Sequence, residues 1–148
     1  ECTNPVKDKW RIRWDVQEKE GSSASYMEEE FGHKPTDEEI HTLVMSWYNS
    51  QTDAAILSGF AYNGAHVWLS VENQYNYKAA YDLAVQTGGE TLPVTFKFGS
   101  DEQPEYHTFT QLEELKDFYT KAVGFIQTVL AEGWEKKDKF NLELYRIE

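Results

Sequence analysis

The chain has 148 residues, 40% hydrophobic and 15% aromatic, with 26 acidic against 14 basic side chains and a net charge of −12. Such length and composition predict one globular domain with a proper core, not a disordered chain. A surface this acidic repels phosphate backbones, which argues against direct nucleic-acid binding and favours basic partners.

Cys2 is the sole cysteine, so no internal disulfide can form, and no Cys/His set at zinc-ligand spacing occurs. The apolar runs are far too short to cross a bilayer, so no membrane association is expected. No signal-peptide pattern is visible at the start, and the scarcity of cysteine points to a reducing compartment or a cysteine-poor assembly.

Residues 1–8 carry Pro5, mixed charges and no periodicity, and read as a loose tail. Trp10, Ile12, Trp14 and Val16 then alternate with Lys9, Arg11, Arg13 and Asp15, the period of a half-buried strand. Gly21 to Ser25 reads as a turn, and Tyr26 to Phe31 carries no decisive pattern. Thr36 and Glu39 form a capping box at the start of the first helix. Ile40, Leu43, Val44, Trp47 and Tyr48 share one face of it, and the polar stretch Asn49 to Asp53 is expected to end it.

Asn63-Gly64 is a strong hairpin signal, because both residues tolerate the positive φ of a type I′ turn. That register sets Phe60, Tyr62, Ala65, Val67 and Leu69 on one face and Ala61, His66 and Trp68 on the other. Ser70 can cap a second helix over Val71 to Thr87, closed by Gly88-Gly89. Leu92, Val94, Phe96 and Phe98 alternate as a strand, with a return strand at Tyr106 to Phe109. Thr110 and Glu113 repeat the capping-box pattern. The longest helix follows from Gln111 to about Lys137, its stripe marked by Leu112, Leu115, Tyr119, Ala122, Ile126 and Val129 and widened by Phe118 and Phe125. Phe140, Leu142 and Leu144 alternate as a last strand. The order β-α-ββ-α-ββ-α-β predicts an α+β fold: a mainly antiparallel sheet built from hairpins with about three helices packed on it, as a single domain over 1–148.

Chemistry is harder to find. His33, His41, His66 and His107 show no metal-ligand spacing, and no nucleophile elbow, phosphate loop or dinucleotide fingerprint occurs. Glu28-Glu29-Glu30 could attract a divalent cation, but adjacent carboxylates more often form a solvated face, and calcium loops space their ligands around a glycine. The expectation is no catalytic residue, no metal and no cofactor. The candidate binding surface is aromatic: Trp68 beside His66, with Tyr75 and Tyr77, which cannot both face inward on one helix.

The hairpin Ser58-Gly59-Phe60-Ala61-Tyr62-Asn63-Gly64 is followed by the capped start Ser70-Val71-Glu72-Asn73-Gln74. The strand Val94-Thr95-Phe96-Lys97 comes next, and then a long helix ending near Gly133-Trp134-Glu135-Lys136-Lys137. Together these resemble a domain family of unknown function encoded by bacteriophages and prophages, found in or beside tail-fibre and tail-tip genes. The resemblance runs from about Ile56 to Phe140 and leaves residues 1–35 unmatched. It departs from the family at Trp68-Leu69-Ser70, where members carry Thr-Asp or Ser-Asp, and at Phe96, where they carry a Trp-containing strand.

The resemblance implies a virion or bacterial-cytoplasmic protein that acts by contact with a protein partner, either another virion component or a second copy. A carbohydrate- or peptide-binding module and an acidic mimic of nucleic acid are the alternatives.

Overall fold

The computed structural model describes residues 2–4, 9–17 and 25–145. Among the described residues the fold is α+β, with three α-helices and antiparallel sheets. Among the same residues the expected sheet is divided into three: one of three strands and two hairpins. The chain groups into two compact units, residues 1–49 with 136–148, and residues 50–135.

The first unit is built on β2 (Lys9–Gln17), which pairs antiparallel with β1 (Cys2–Asn4) and β3 (Ser25–Phe31). Part of the expected tail is therefore a strand, with Cys2 opposite Trp10. Of the turn expected at Gly21 to Ser25, residues 21–24 lie outside the described residues, and Ser25 opens β3.

Alternation along β2 buries Ile12 and Trp14 as predicted, but Val16 is exposed. The register shifts after Trp14, and Asp15 takes φ 52°. This is the bulge geometry that turns a strand's next side chain away from its face.

The first helix, α1 (Asp37–Leu57), starts at the predicted capping box. The Glu39 amide donates to Thr36 Oγ1 at 3.1 Å, and the Thr36 amide donates to the Glu39 carboxylate at 3.3 Å. His33 Nε2 lies 2.8 Å from the same carboxylate. This hydrogen bond, with those from Thr36, holds the Glu39 carboxyl below its ordinary value.

Ile40 and Val44 pack with Ile12 and Trp14, and Phe31, Leu43, Trp47 and Phe140 close around them. The helix does not stop at Asn49 to Asp53. Ala54, Ala55 and Ile56 are helix-compatible, and the end comes at Gly59, whose φ of 77° suits glycine. A Cβ there would also fall 1.8 Å from the Val67 carbonyl oxygen.

The predicted last strand is a 3-10 helix, Leu142–Tyr145. The Asn141 side chain accepts from the Glu143 amide at 3.0 Å, an Asx turn that winds the chain and leaves Leu144 in solvent.

The second unit contains two hairpins, two further helices and the last turns of α1. Strands β4 (Phe60–Tyr62) and β5 (Ala65–Val67) are joined by Asn63 and Gly64 at φ 49° and 82°, the predicted type I′ signs. Ser70 caps α2 (Val71–Gln86), and positive-φ Gly88 and Gly89 follow it. Strands β6 (Val94–Gly99) and β7 (Pro104–Phe109) form the second hairpin.

The last helix, α3 (Leu112–Asp138), buries Leu115, Phe118, Ala122 and Val129. Its start is shifted by one residue from the expected box, since Glu114 rather than Glu113 accepts from the Thr110 amide. Phe118 is the centre of this core rather than the margin of its stripe. Its ring centroid lies between 5.0 and 6.4 Å from those of Phe60, Tyr62, Tyr77, Phe96, Phe98 and Phe109.

Candidate functional site

The four aromatic and histidine candidates form two pairs: Trp68 and His66 are in ring contact, and Tyr75 and Tyr77 line one cleft with very different exposure. A helix turns about 100° per residue, so Tyr75 and Tyr77 point in nearly opposite directions from α2. Tyr77 is 5% exposed and packs edge-on against Phe96 and Phe118 at 4.8 and 5.0 Å. Burial pushes its hydroxyl up to about 12. Tyr77 is thus a core residue, which corrects its place among the surface candidates. Tyr75, by contrast, is 70% exposed.

Trp68 is 46% exposed, yet its ring is fixed. Its Nε1 donates to the Gly99 carbonyl at 2.6 Å, and its ring and that of His66 meet at 71° with centroids 4.2 Å apart. The Asn73 side-chain amide donates to the Trp68 carbonyl. With its single donor engaged, Trp68 offers a ligand only part of an apolar ring. His66 Nε2 is buried and makes no hydrogen bond among the described residues.

Tyr75 stands at a cleft of about 330 Å³. Val71, Tyr75 and Lys78 line it from α2, and Tyr119, Val123 and Ile126 line it from α3. Val71 is the more exposed of its α2 residues and Tyr75 the larger, so the cleft opens onto an apolar rim. Lys78 is held by Asp82 one turn on, a pairing that raises the ammonium pKa. Tyr81 stacks on Tyr119 at 4.8 Å, which orients that ring.

A separate group of contacts ties α3 to the first hairpin. Tyr62 donates to Asp117 at 3.0 Å, and Lys121 donates to the same carboxylate at 3.1 Å while lying 5.4 Å above the Tyr62 ring. Burial, then the hydrogen bond to Asp117, pushes the Tyr62 hydroxyl up to about 12, whereas Lys121 and Tyr62 lower the Asp117 carboxyl.

Sequence reasoning named Tyr75 and Tyr77, both of which line this cleft, but not Val71, Lys78, Tyr119 or Val123 as parts of a site. Val71 and Tyr119 carry no local signal beyond their helical positions, because the cleft exists only where the two helices meet. Nothing here assembles metal ligands: among the described residues no group of three or more His, Cys, Asp or Glu side chains could hold an ion. Glu28, Glu29 and Glu30, in a stretch whose sequence carries no decisive pattern, lie on a strand. Glu28 is occupied by Arg13 at 3.0 Å and Arg11 at 3.9 Å. No described helix is long and apolar enough to cross a membrane.

A family model described as a domain of unknown function, DUF4376, matches residues 39–148. The chain belongs to the DUF4376 family. The match starts within α1, earlier than the Ile56 expected from the hairpin pattern, and takes in every element that builds the Tyr75 cleft. The three-stranded sheet of this DUF4376 chain precedes the matched residues. No curated protein and no solved structure matches the chain significantly.

Proposed function

We propose that this DUF4376 chain is a non-enzymatic contact module of phage-encoded assemblies, and that it engages a protein partner through the cleft between α2 and α3. The observation that carries the reading is Tyr75, a 70% exposed aromatic ring standing over a cleft walled by apolar side chains from two helices. Isolated exposed hydrophobic residues are ordinary, but an aromatic beside a preformed apolar recess is the arrangement in which interface energy concentrates. The phage setting is supported by the resemblance of the Ser58–Gly64 hairpin and the elements after it to tail-associated domains.

Mass spectrometry of purified virions tests the assembly role: the chain is expected among the particle proteins, and its absence from particles whose producing cells express it would contradict the reading. A carbohydrate-binding reading is favoured by the same exposed ring, since an aromatic face also stacks on sugars. Binding of the purified chain to a glycan array, lost in Tyr75→Ala, would decide for it.

A further inference from the structure

We propose a second contact site in the first unit: the free edge of β3 and the cleft beside it dock an extended, lysine- or arginine-bearing segment of a partner protein, which adds as a further strand. In the order β1-β2-β3, the described residues pair β3 on one side only. Its residues from Tyr26 to Glu30 are all exposed. An unpaired edge of this length presents a row of main-chain donors and acceptors to any strand that its side chains will admit.

The side chains select the occupant. Cross-strand pairing sets Glu28 and Glu30 on the face of Arg13 and Arg11, and sets Glu29 opposite Ile12 on the face that packs toward α1. There Glu29 and Phe31 of β3 meet Glu38, Glu39 and Leu43 of α1 around a cleft of about 490 Å³. Glu39 is committed to His33 and Thr36. Glu29 and Glu38 have no cationic partner among the described residues. The cleft, which Thr42 and Ser46 also line, therefore offers Phe31 and Leu43 for an aliphatic stem and two available carboxylates for its charged head, the environment that a long basic side chain fills.

A second copy of the chain does not fit. Antiparallel self-pairing centred on Glu29 would set Glu28 against Glu30, carboxylate against carboxylate, and like charges directly opposite are destabilising. The net charge of −12 adds to that repulsion. Main-chain hydrogen bonds would supply affinity and the acidic cleft the selectivity.

The test uses the full chain and synthetic nine-residue peptides in fluorescence anisotropy: an alternating Lys-Val peptide, its Glu-Val counterpart, and a Lys-Val peptide with alternate amides N-methylated. The Lys-Val peptide is expected to bind and the Glu-Val peptide not to bind. N-methylation should weaken binding about tenfold or more, the loss expected when about 1.4 kcal/mol of main-chain bonding is removed. The pair E29Q and E38Q, with an unchanged circular dichroism spectrum, should weaken it similarly, while Tyr75→Ala should leave it unchanged. Equal binding of the N-methylated peptide, indifference to E29Q and E38Q, or no binding of the Lys-Val peptide would each overturn the site and leave the carboxylates as a guard on a bare edge. None of these outcomes bears on the α2–α3 cleft.

Discussion

Trp68 donates its indole N–H to the Gly99 carbonyl at 2.6 Å, tying the chain after β5 to the end of β6 across 31 residues of sequence. A side chain that looks like a free surface aromatic is therefore a latch between the two hairpins. Trp68→Phe keeps most of the ring and removes the donor, and should cost about 0.5–1.5 kcal/mol in urea unfolding. Trp68→Ala should cost more, because the His66 contact goes as well. A Phe variant as stable as the parent would show that the bond contributes nothing.

Phe118 should be the most sensitive position in the second unit. It is fully buried among six rings, and Phe118→Ala is expected to cost about 3–5 kcal/mol. Ile126 is only partly buried and lines the open cleft. Ile126→Ala should fall at or below the lower end of the ~2–5 kcal/mol range for a buried isoleucine. Chemical denaturation of the two variants side by side checks the order, and a larger loss at Ile126 would shift the core.

Gly64→Val places a β-branched residue at φ 82° in the type I′ turn. A left-handed conformation costs a non-glycine residue roughly 1–2 kcal/mol, and a β-branched one more. The midpoint of thermal unfolding should fall accordingly. An unchanged midpoint would mean that the turn relaxes without penalty.

Alkaline pH should destabilise the second unit. The Tyr62 and Tyr77 hydroxyls are pushed up to about 12, above the ordinary value near 10. Between those values the unfolded chain releases protons that the folded chain keeps. The stabilisation is thus complete below pH ~10 and is lost as pH rises toward ~12. Tyr77→Phe should flatten that decline, measured as unfolding free energy from pH 9 upward to about 12. A slope identical to the parent's would remove Tyr77 from the explanation.

Local chemistry was readable in the sequence, and relationships across the chain were not. The Thr36–Glu39 box, the Asn63-Gly64 turn and the Ser70 cap each depend on residues within a few positions of one another, and all three formed as expected. The bulge at Asp15, which exposes Val16, follows from strand register rather than composition. The 3-10 turn after Phe140 arose because an Asn141 side-chain bond outcompeted a weak apolar alternation. At the candidate site, periodicity separated Tyr75 from Tyr77 in principle. Only the packing of Phe96 and Phe118 decided which of them was buried, and only the approach of α3 brought Tyr119 to the cleft.

The central claim is that the α2–α3 cleft is the working surface. It is tested most directly by placing a photoreactive phenylalanine analogue at position 75 and irradiating during particle assembly in the producing cell. Position 106, where Tyr106 is similarly exposed on β7, serves as control. The account predicts a defined crosslink from position 75 to a virion protein or a second copy, and little from position 106. Equal crosslinking from both positions, or none from position 75 while the chain still enters particles, would contradict it.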